Sequence, residues 1–381
     1  MRRIEFVYFD AGGGHRSAAT ALKAVIDPQN RGWDVRLFNF QEHLDALDFV
    51  RSLTRIRMQD LYNLMLRRGW TLGSTQLMRV LQATIRMYHT LLVRRLVDYW
   101  RDSRPDMVVS FIPHFNRALG ESFRKAYPER PFVTLLTDLA DYPPHFWIEK
   151  QDQYFLCGTE RAVEQASGMG HSAHRIFRTS GMILNPRFYE PATIDVPGER
   201  SRVGLEPDRM TGLVLFGGYG AQTMLEIANR LESSDLPVQL IFICGKNERL
   251  ADLLRSLPMR KPRFVEGFTR EVPHYMRLSD FFLGKPGPGS ISEALAMQLP
   301  VIVERNAWTL PQERYNADWV RENNFGLTVR SWRDAVQATA VLIEPQQFAA
   351  RRRRISAVQN RAVFEIPDAF ERILDSAARV G

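Results

Sequence analysis

Three glycine-rich turns mark places where this 381-residue chain could handle an anion: AGGGHRS at 11–17, GGYGAQT at 217–223 and KPGPGSISE at 285–293. Each follows an apolar, strand-like run and opens a helical one. Glycines such as Gly13, Gly14, Gly218 and Gly220 let the backbone approach an oxyanion. The first turn of a helix adds unpaired N–H groups and a partial positive charge, so a diphosphate fits there. A tight strand-to-helix turn without a ligand accounts equally well for any one of them taken singly. The ATP-type signatures are missing: there is no G-x-x-x-x-G-K-[ST], and no G-x-G-x-x-G with an acid about twenty residues on.

The elements that position these turns can be read from the pattern of apolar runs. IEFVYF, DVRLFNF, DMVVSFI (106–112), PFVTLLTD (131–138), QYFLCG (153–158) and RIFRTS (175–180) alternate with helical stretches. That rhythm predicts a parallel sheet with helices on both faces. GMILNPRFYEPATIDVPGERS then lacks periodicity and holds three prolines, the signature of a linker. The rhythm restarts with GLVLFGG (212–218), VQLIFICG (238–245), RFVEGF (263–268), DFFLGK (280–285), PVIVE (300–304) and GLTV (326–329). The expectation is therefore an N-terminal Rossmann-like domain over 1–185, a linker over 186–208, a second Rossmann-like domain over 209–345, and C-terminal helices over 346–381 packing back across the domains. The three turns then sit at carboxyl ends of strands, where open α/β sheets place their ligands.

Composition excludes several classes. At 45% hydrophobic and 25% charged residues, with 23 Phe and 7 Trp, the chain is that of a packed globular protein. Its two cysteines, Cys157 and Cys244, lie in apolar runs and supply neither a disulfide framework nor a zinc site. No window approaches the 18 or so apolar residues of a membrane span, and the short apolar run at the start is broken by Glu5 and Asp10, which argues against a signal peptide. The net charge of +8 is concentrated: from Arg51 to Arg104 there are eleven Arg against three Asp, a net of eight.

In order, GGGHRSAATAL, TDLADYPPHFW (137–147), FGGYGAQTMLEIANRL, VQLIFICGKNERL, EGFT, KPGPGSISEALAMQLPVIVE and QERYNADWV resemble the monogalactosyldiacylglycerol synthase family. Its kin include bacterial processive diacylglycerol glucosyltransferases and, more distantly, the MurG type that glycosylates a lipid-linked precursor. The resemblance covers roughly residues 4–330 and is strongest from 212 to 326. It implies a GT-B fold, two Rossmann-like domains facing across a cleft, and transfer of a hexose from a UDP-sugar to diacylglycerol with inversion. His15 matches the acceptor-activating base, and imidazole titrates near enough to neutrality to take a hydroxyl proton. A histidine that only caps its helix or binds phosphate is the alternative. Asp138 either orients His15, acts as a second base, or is simply a buried sheet-end carboxylate. Gly287, Gly289 and Ser290 resemble the diphosphate cradle, Glu293 the acid that binds the ribose diol, and Phe268 the residue whose backbone reads uracil. Gln312, Glu313 and Asn316 match the set that holds the hexose hydroxyls.

Two departures stand out. TLPQE replaces the family's PGQE-like text, which implies a different sugar pocket. TDLADYPPHFW has one residue more than the usual His-Pro-x-Trp spacing, leaving His145 and Trp147 as rivals for that role. No divalent metal or other cofactor is expected, because helix termini and backbone donors suffice for a leaving diphosphate.

The arginine-rich segment supports a lipid acceptor independently of the resemblance. With Arg79 at zero and about 100° per residue, Arg86, Arg94 and Arg101 fall near 340°, 60° and 40°. Leu77, Leu81, Ile85, Tyr88, Leu92 and Tyr99 fall between about 160° and 240°. Such a basic face suits an anionic phospholipid surface, with about 1 kcal/mol of attraction per cation; an ordinary helix with solvated arginines is the alternative. The expected location is peripheral, on the cytoplasmic face of the cell membrane. No nucleic-acid module is recognisable. Two rival readings remain: N-acetylglucosaminyl transfer to another lipid-linked acceptor, and a catalytically silent UDP-sugar-binding protein.

Overall fold

Short β-branched and aromatic runs become strands because both faces are covered, so the polar positions of an exposed strand are not needed. In the computed structural model of the chain, every such run forms a strand. Residues 1–10, 13–45, 74–191, 194–258 and 260–378 are described, with side chains at 43–45 and 74–84 left aside. Among them, one unit comprises the residues up to Pro186 and from Asn360 on, and a second comprises Arg187–Gln359.

The first unit holds β1 (Arg2–Tyr8), β2 (Trp33–Asn39), β3 (Met107–Ser110), β4 (Phe132–Leu135), β5 (Tyr154–Cys157) and β6 (Ile176–Arg178). They form one parallel sheet in the order β2-β1-β3-β4-β5-β6. The order reverses between β1 and β3, so the loops leaving those two strands diverge and open a crevice at their carboxyl ends. The helix Gly14–Ile26, entered through Gly13, starts at that crevice. Its apolar face packs on the sheet and on the final helix, Ala362–Ala378, whose Phe370 meets Phe6 edge-on at 6.0 Å. Arg31 adds ion pairs to Asp368 and Glu371 of that helix.

The arginine-rich expectation falls on a single helix, Ser74–Ser103. Leu92, Val93, Leu96 and Trp100 are buried against Phe123 and its neighbours, while Arg86, Arg94 and Arg101 are exposed. The buried face is broader than expected. Val93 and Trp100, near 320° and 300° in the same projection, turn it toward Arg86. Met87 and Leu91 remain 71% and 42% exposed beside the arginines. The arginines from 51 to 68, and the side chains of Arg79, Leu77 and Leu81, lie outside the described residues.

The second unit holds β7 (Met210–Leu215), β8 (Val238–Ile243), β9 (Arg263–Glu266), β10 (Phe281–Gly284), β11 (Val301–Glu304) and β12 (Gly326–Val329). Its parallel sheet runs β12-β11-β10-β7-β8-β9, and the switch point lies between β7 and β10. The stretch expected as a linker is in part built into this unit. Asp195 caps the helix Val196–Arg202, and the buried Arg200 of that helix donates to the carbonyls of Leu278 and Pro207 and pairs with Asp280 at 2.8 Å. A buried guanidinium with this many partners anchors the segment, because leaving it unpaired would be costly. The helix Pro345–Ser356 belongs to the second unit and the last helix to the first.

Candidate functional site

In the first unit, the chain leaves β1 and turns into its helix through Gly13, whose φ of +81° lies in the left-handed region that glycine adopts without penalty. No side chain caps this helix, so its first N–H groups remain available to a ligand. His15 stands in the first turn. Its Nδ1 and Thr137 Oγ1 are hydrogen-bonded at 3.0 Å, and the Trp147 ring lies 6.0 Å away, tilted at 57°. Loss of hydration lowers the His15 pKa to about 4, opposed in part by a hydrogen bond to the Phe111 backbone. The imidazole is therefore neutral at cellular pH and able to accept a proton.

Asp138 is buried, and its Oδ2 accepts from Trp147 Nε1 at 2.9 Å. The carboxylate thus orients the indole that packs beside His15, while the neighbouring Thr137 holds the imidazole. The loop that follows is tied together by the buried Asp141, which accepts from the backbone N–H groups of Trp147 and His145 at 2.6 and 3.1 Å. The two rivals in that segment differ in their surroundings. Trp147 is fully buried at the site, whereas His145 is exposed on a backbone with φ of +62°. Neither Thr137 nor Trp147 was assigned from spacing, although both belong to the TDLADYPPHFW motif.

In the second unit, the two remaining glycine turns leave β7 and β10, the strands on either side of the switch point. Gly217 and Gly220 have φ of +75° and +58°. A Cβ on Gly220 would sit 2.9 Å from the Cys244 carbonyl oxygen, so the turn has no room for a side chain there. Gly218 faces open space, and its carbonyl accepts from Lys246 N–H at 2.8 Å. After β10, the helix Pro288–Ala296 opens on Gly287 with no side-chain cap, which leaves the first-turn donors at Gly289 and Ser290 for an anion. Glu293 follows one turn on, and burial raises its pKa to about 7.

The helix Pro311–Glu322 brings Gln312, Glu313 and Asn316 to the same end of the sheet. Asn316 is fully buried, and its amide donates to the Pro286 carbonyl at 2.9 Å. It fixes the loop that bears Gly287 from beneath. Glu313 is also largely buried and binds Lys285 Nζ at 2.8 Å through Oε1. Lys285 opens the KPGPGS motif and was overlooked as a site residue. Phe268, after β9, is 61% exposed, with Lys246 Nζ 5.7 Å from its ring centre and 5.9 Å from that of Tyr219. Among the described residues, no group of three or more His, Cys, Asp or Glu is arranged to hold a metal ion, and no helix is long and apolar enough to cross a membrane.

With this geometry in view, the comparisons with known proteins become specific. A probable monogalactosyldiacylglycerol synthase of Glycine max is 27% identical over 389 residues, covering 98% of this chain and 70% of its own length. A second, from Oryza sativa subsp. indica, is 28% identical over 408 residues, covering all of this chain and 82% of its own. Over nearly its whole length the chain is similar to proteins named as monogalactosyldiacylglycerol synthases. No family model matches it. Among solved structures, Acinetobacter baumannii MurG superposes with a TM-score of 0.64 at 12% identity over 98% of this chain and the whole of its own. The Staphylococcus aureus MnaA–UDP complex gives 0.61 at 16%, over 98% and 97%. Anabaena HepE, solved with UDP and glucose, gives 0.57 at 16%, over 99% and the whole of its own. At such identities the structures speak to fold alone, and the fold is GT-B.

Proposed function

We propose that this relative of the monogalactosyldiacylglycerol synthases is an inverting, metal-independent transferase that moves a hexose, galactose or glucose, from a UDP-sugar to diacylglycerol. The observation that supports it best is the near full-length similarity to proteins of that name, combined with a neutral, desolvated His15 at the mouth of an uncapped helix. The second unit holds the nucleotide and the first supplies the base. The acceptor oxygen bonds to the anomeric carbon as the bond from that carbon to the diphosphate breaks. The electron pair leaves with UDP, and the acceptor proton passes to His15. Glu293 takes the ribose hydroxyls, and Gln312 and Glu313 take those of the hexose.

The acceptor is presented by a membrane. Arg86, Arg94 and Arg101 form an exposed cationic stripe, and Met87 and Leu91 beside them offer apolar side chains to the lipid boundary. The reading places the protein on the cytoplasmic face of the cell membrane.

Incubation with labelled UDP-glucose, UDP-galactose or UDP-N-acetylglucosamine and vesicles containing diacylglycerol tests the proposal. A labelled glycosyldiacylglycerol from one of the first two donors is expected. Product from the third alone would replace it with N-acetylglucosaminyl transfer, and UDP binding without any product would point to a silent sensor.

A further inference from the structure

We infer that Lys285 is the cation that meets the diphosphate of the donor, with Glu313 as its holder. The inference rests on the reading of the chain as a UDP-sugar transferase and adds a residue which that reading does not use.

Lys285 is the first residue after β10, at the switch point of its sheet. Its stem lies against both glycine turns of the second unit. A Cβ added to Gly217 would be 3.4 Å from Lys285 Cε, and one added to Gly287 would be 3.5 Å from the same atom and 3.9 Å from Nζ. The two turns suited to a diphosphate therefore flank the same lysine stem, and its ammonium lies on the side of Gly287. The site's other lysine, Lys246, lies instead over the Tyr219 and Phe268 rings.

The ion pair is asymmetric. The Glu313 side chain is 10% exposed and that of Lys285 40%, so the carboxylate is the more buried member and the lysine the more accessible one. The loop beneath is pinned through Pro286 to Asn316, one turn on from Glu313. With the lysine the more accessible member, its ammonium can turn to a diphosphate as a second anionic partner while its stem stays in place. When the bond between the anomeric carbon and the diphosphate breaks, its electron pair stays on the β-phosphate oxygen. A cation already at that place stabilises the charge as it grows. Glu313 then has two tasks: it reads the hexose, and it holds the lysine until the donor arrives.

Calorimetry with UDP and with uridine, on the parent and on Lys285→Met, Lys285→Arg and Glu313→Gln, tests the assignment. Lys285→Met should weaken UDP about tenfold or more, as expected for a lost charge-assisted hydrogen bond, and leave uridine unchanged. Turnover should fall further, by about a hundredfold. Lys285→Arg should recover most of the UDP affinity, and Glu313→Gln should keep it while weakening the UDP-hexose. If Lys285→Met binds UDP like the parent, or loses UDP and uridine equally, the lysine is only structural and the inference falls. A parent that ignores UDP overturns the donor reading itself. A parent that binds UDP but transfers no sugar overturns only the transferase reading, and the UDP-to-uridine contrast still decides the role of Lys285.

Discussion

The glycine turn after β1 and the pair after β7 and β10 share a strand-turn-helix geometry, yet particular glycines in them differ in their surroundings. Among the described residues, nothing beyond its chain neighbours and its own helix lies within 4 Å of where a Cβ on Gly13 would be, as is also true of Gly218 and Gly289. In the second unit, a Cβ on Gly220 would lie 2.9 Å from the Cys244 carbonyl oxygen, and one on Gly217 or Gly287 would lie 3.4 or 3.5 Å from Lys285 Cε. The titrating groups differ in the same way. Burial keeps His15 unprotonated down to a pKa of about 4, and burial keeps Glu293 protonated up to about 7. One physical cause, the penalty on a desolvated charge, prepares a proton acceptor in one unit and a neutral hydrogen-bonding acid in the other.

The largest expected effect breaks this contrast directly. His15→Ala should lower turnover by about 10² to 10⁴, the usual cost of losing a general base, and leave UDP affinity nearly intact. A loss of UDP affinity instead would make the first turn a phosphate site like the others. The pH dependence sharpens the point. Because the folded pKa is depressed, His15 remains a base above about pH 4, so the acid limb of kcat/KM should lie near 4 and not near 6.5. A limb near 6.5 would mean that the imidazole stays hydrated.

The next effect contrasts two basic surfaces. Replacing Arg79, Arg86, Arg94 and Arg101 by Gln removes four cations, each worth about 1 kcal/mol at an anionic membrane, so vesicle affinity should fall by up to about a thousandfold. Arg352, Arg353 and Arg354 of the second unit are also exposed, but their helix exposes no large apolar side chain. The same substitutions there should change vesicle binding far less. Sedimentation with anionic and neutral vesicles, repeated near 1 M salt where the Debye length is about 3 Å, reads both. Equal losses from both sets would leave net charge as the only determinant.

How far these sites were legible in the sequence depends on how local they are. The twelve strands among the described residues could be read as apolar runs because each is a short run bounded by turn residues, even where, as in β6 and β9, it is only partly buried. The glycine turns, His15 and Glu293 were legible for the same reason: each lies within a few residues of a strand end. The partners that tune them were not. Thr137 reaches His15 across 122 positions, and Lys285 reaches Glu313 across 28. Such pairs depend on which strands neighbour one another, and periodicity does not specify strand order. Arg200 shows the same limit. Its segment reads as a linker because it lacks an apolar rhythm, and it is held by a guanidinium that no hydrophobic pattern marks.

Within the second unit, the two carboxylates should separate by about tenfold. Glu293→Ala removes an acceptor for ribose hydroxyls and should weaken UDP itself. Glu313→Ala should weaken the UDP-hexose and spare UDP. The ionised Glu293 accepts those hydroxyls more strongly. UDP affinity should therefore rise as pH passes through about 7, and Glu293→Gln should flatten that rise. Calorimetry across pH 6 to 8 reads it; equal losses of both ligands in both variants would merge the two sites into one.

The smallest effect returns to the turns themselves. Gly13 and Gly220 both have positive φ, so an alanine at either meets left-handed strain of about 1–2 kcal/mol. At Gly13 the strain is the main cost, since the added methyl meets no other described residue within 4 Å. At Gly220 the methyl would also lie 2.9 Å from the Cys244 carbonyl oxygen and from Leu250 Cδ2. The leucine can give, but the carbonyl belongs to the chain leaving β8 and can move only with its backbone. Gly220→Ala should therefore lower the denaturation midpoint more than Gly13→Ala, whose loss should not exceed the strain alone. Equal losses would mean that Gly13 is packed as tightly as Gly220, and the open surroundings assigned to it would have to be given up.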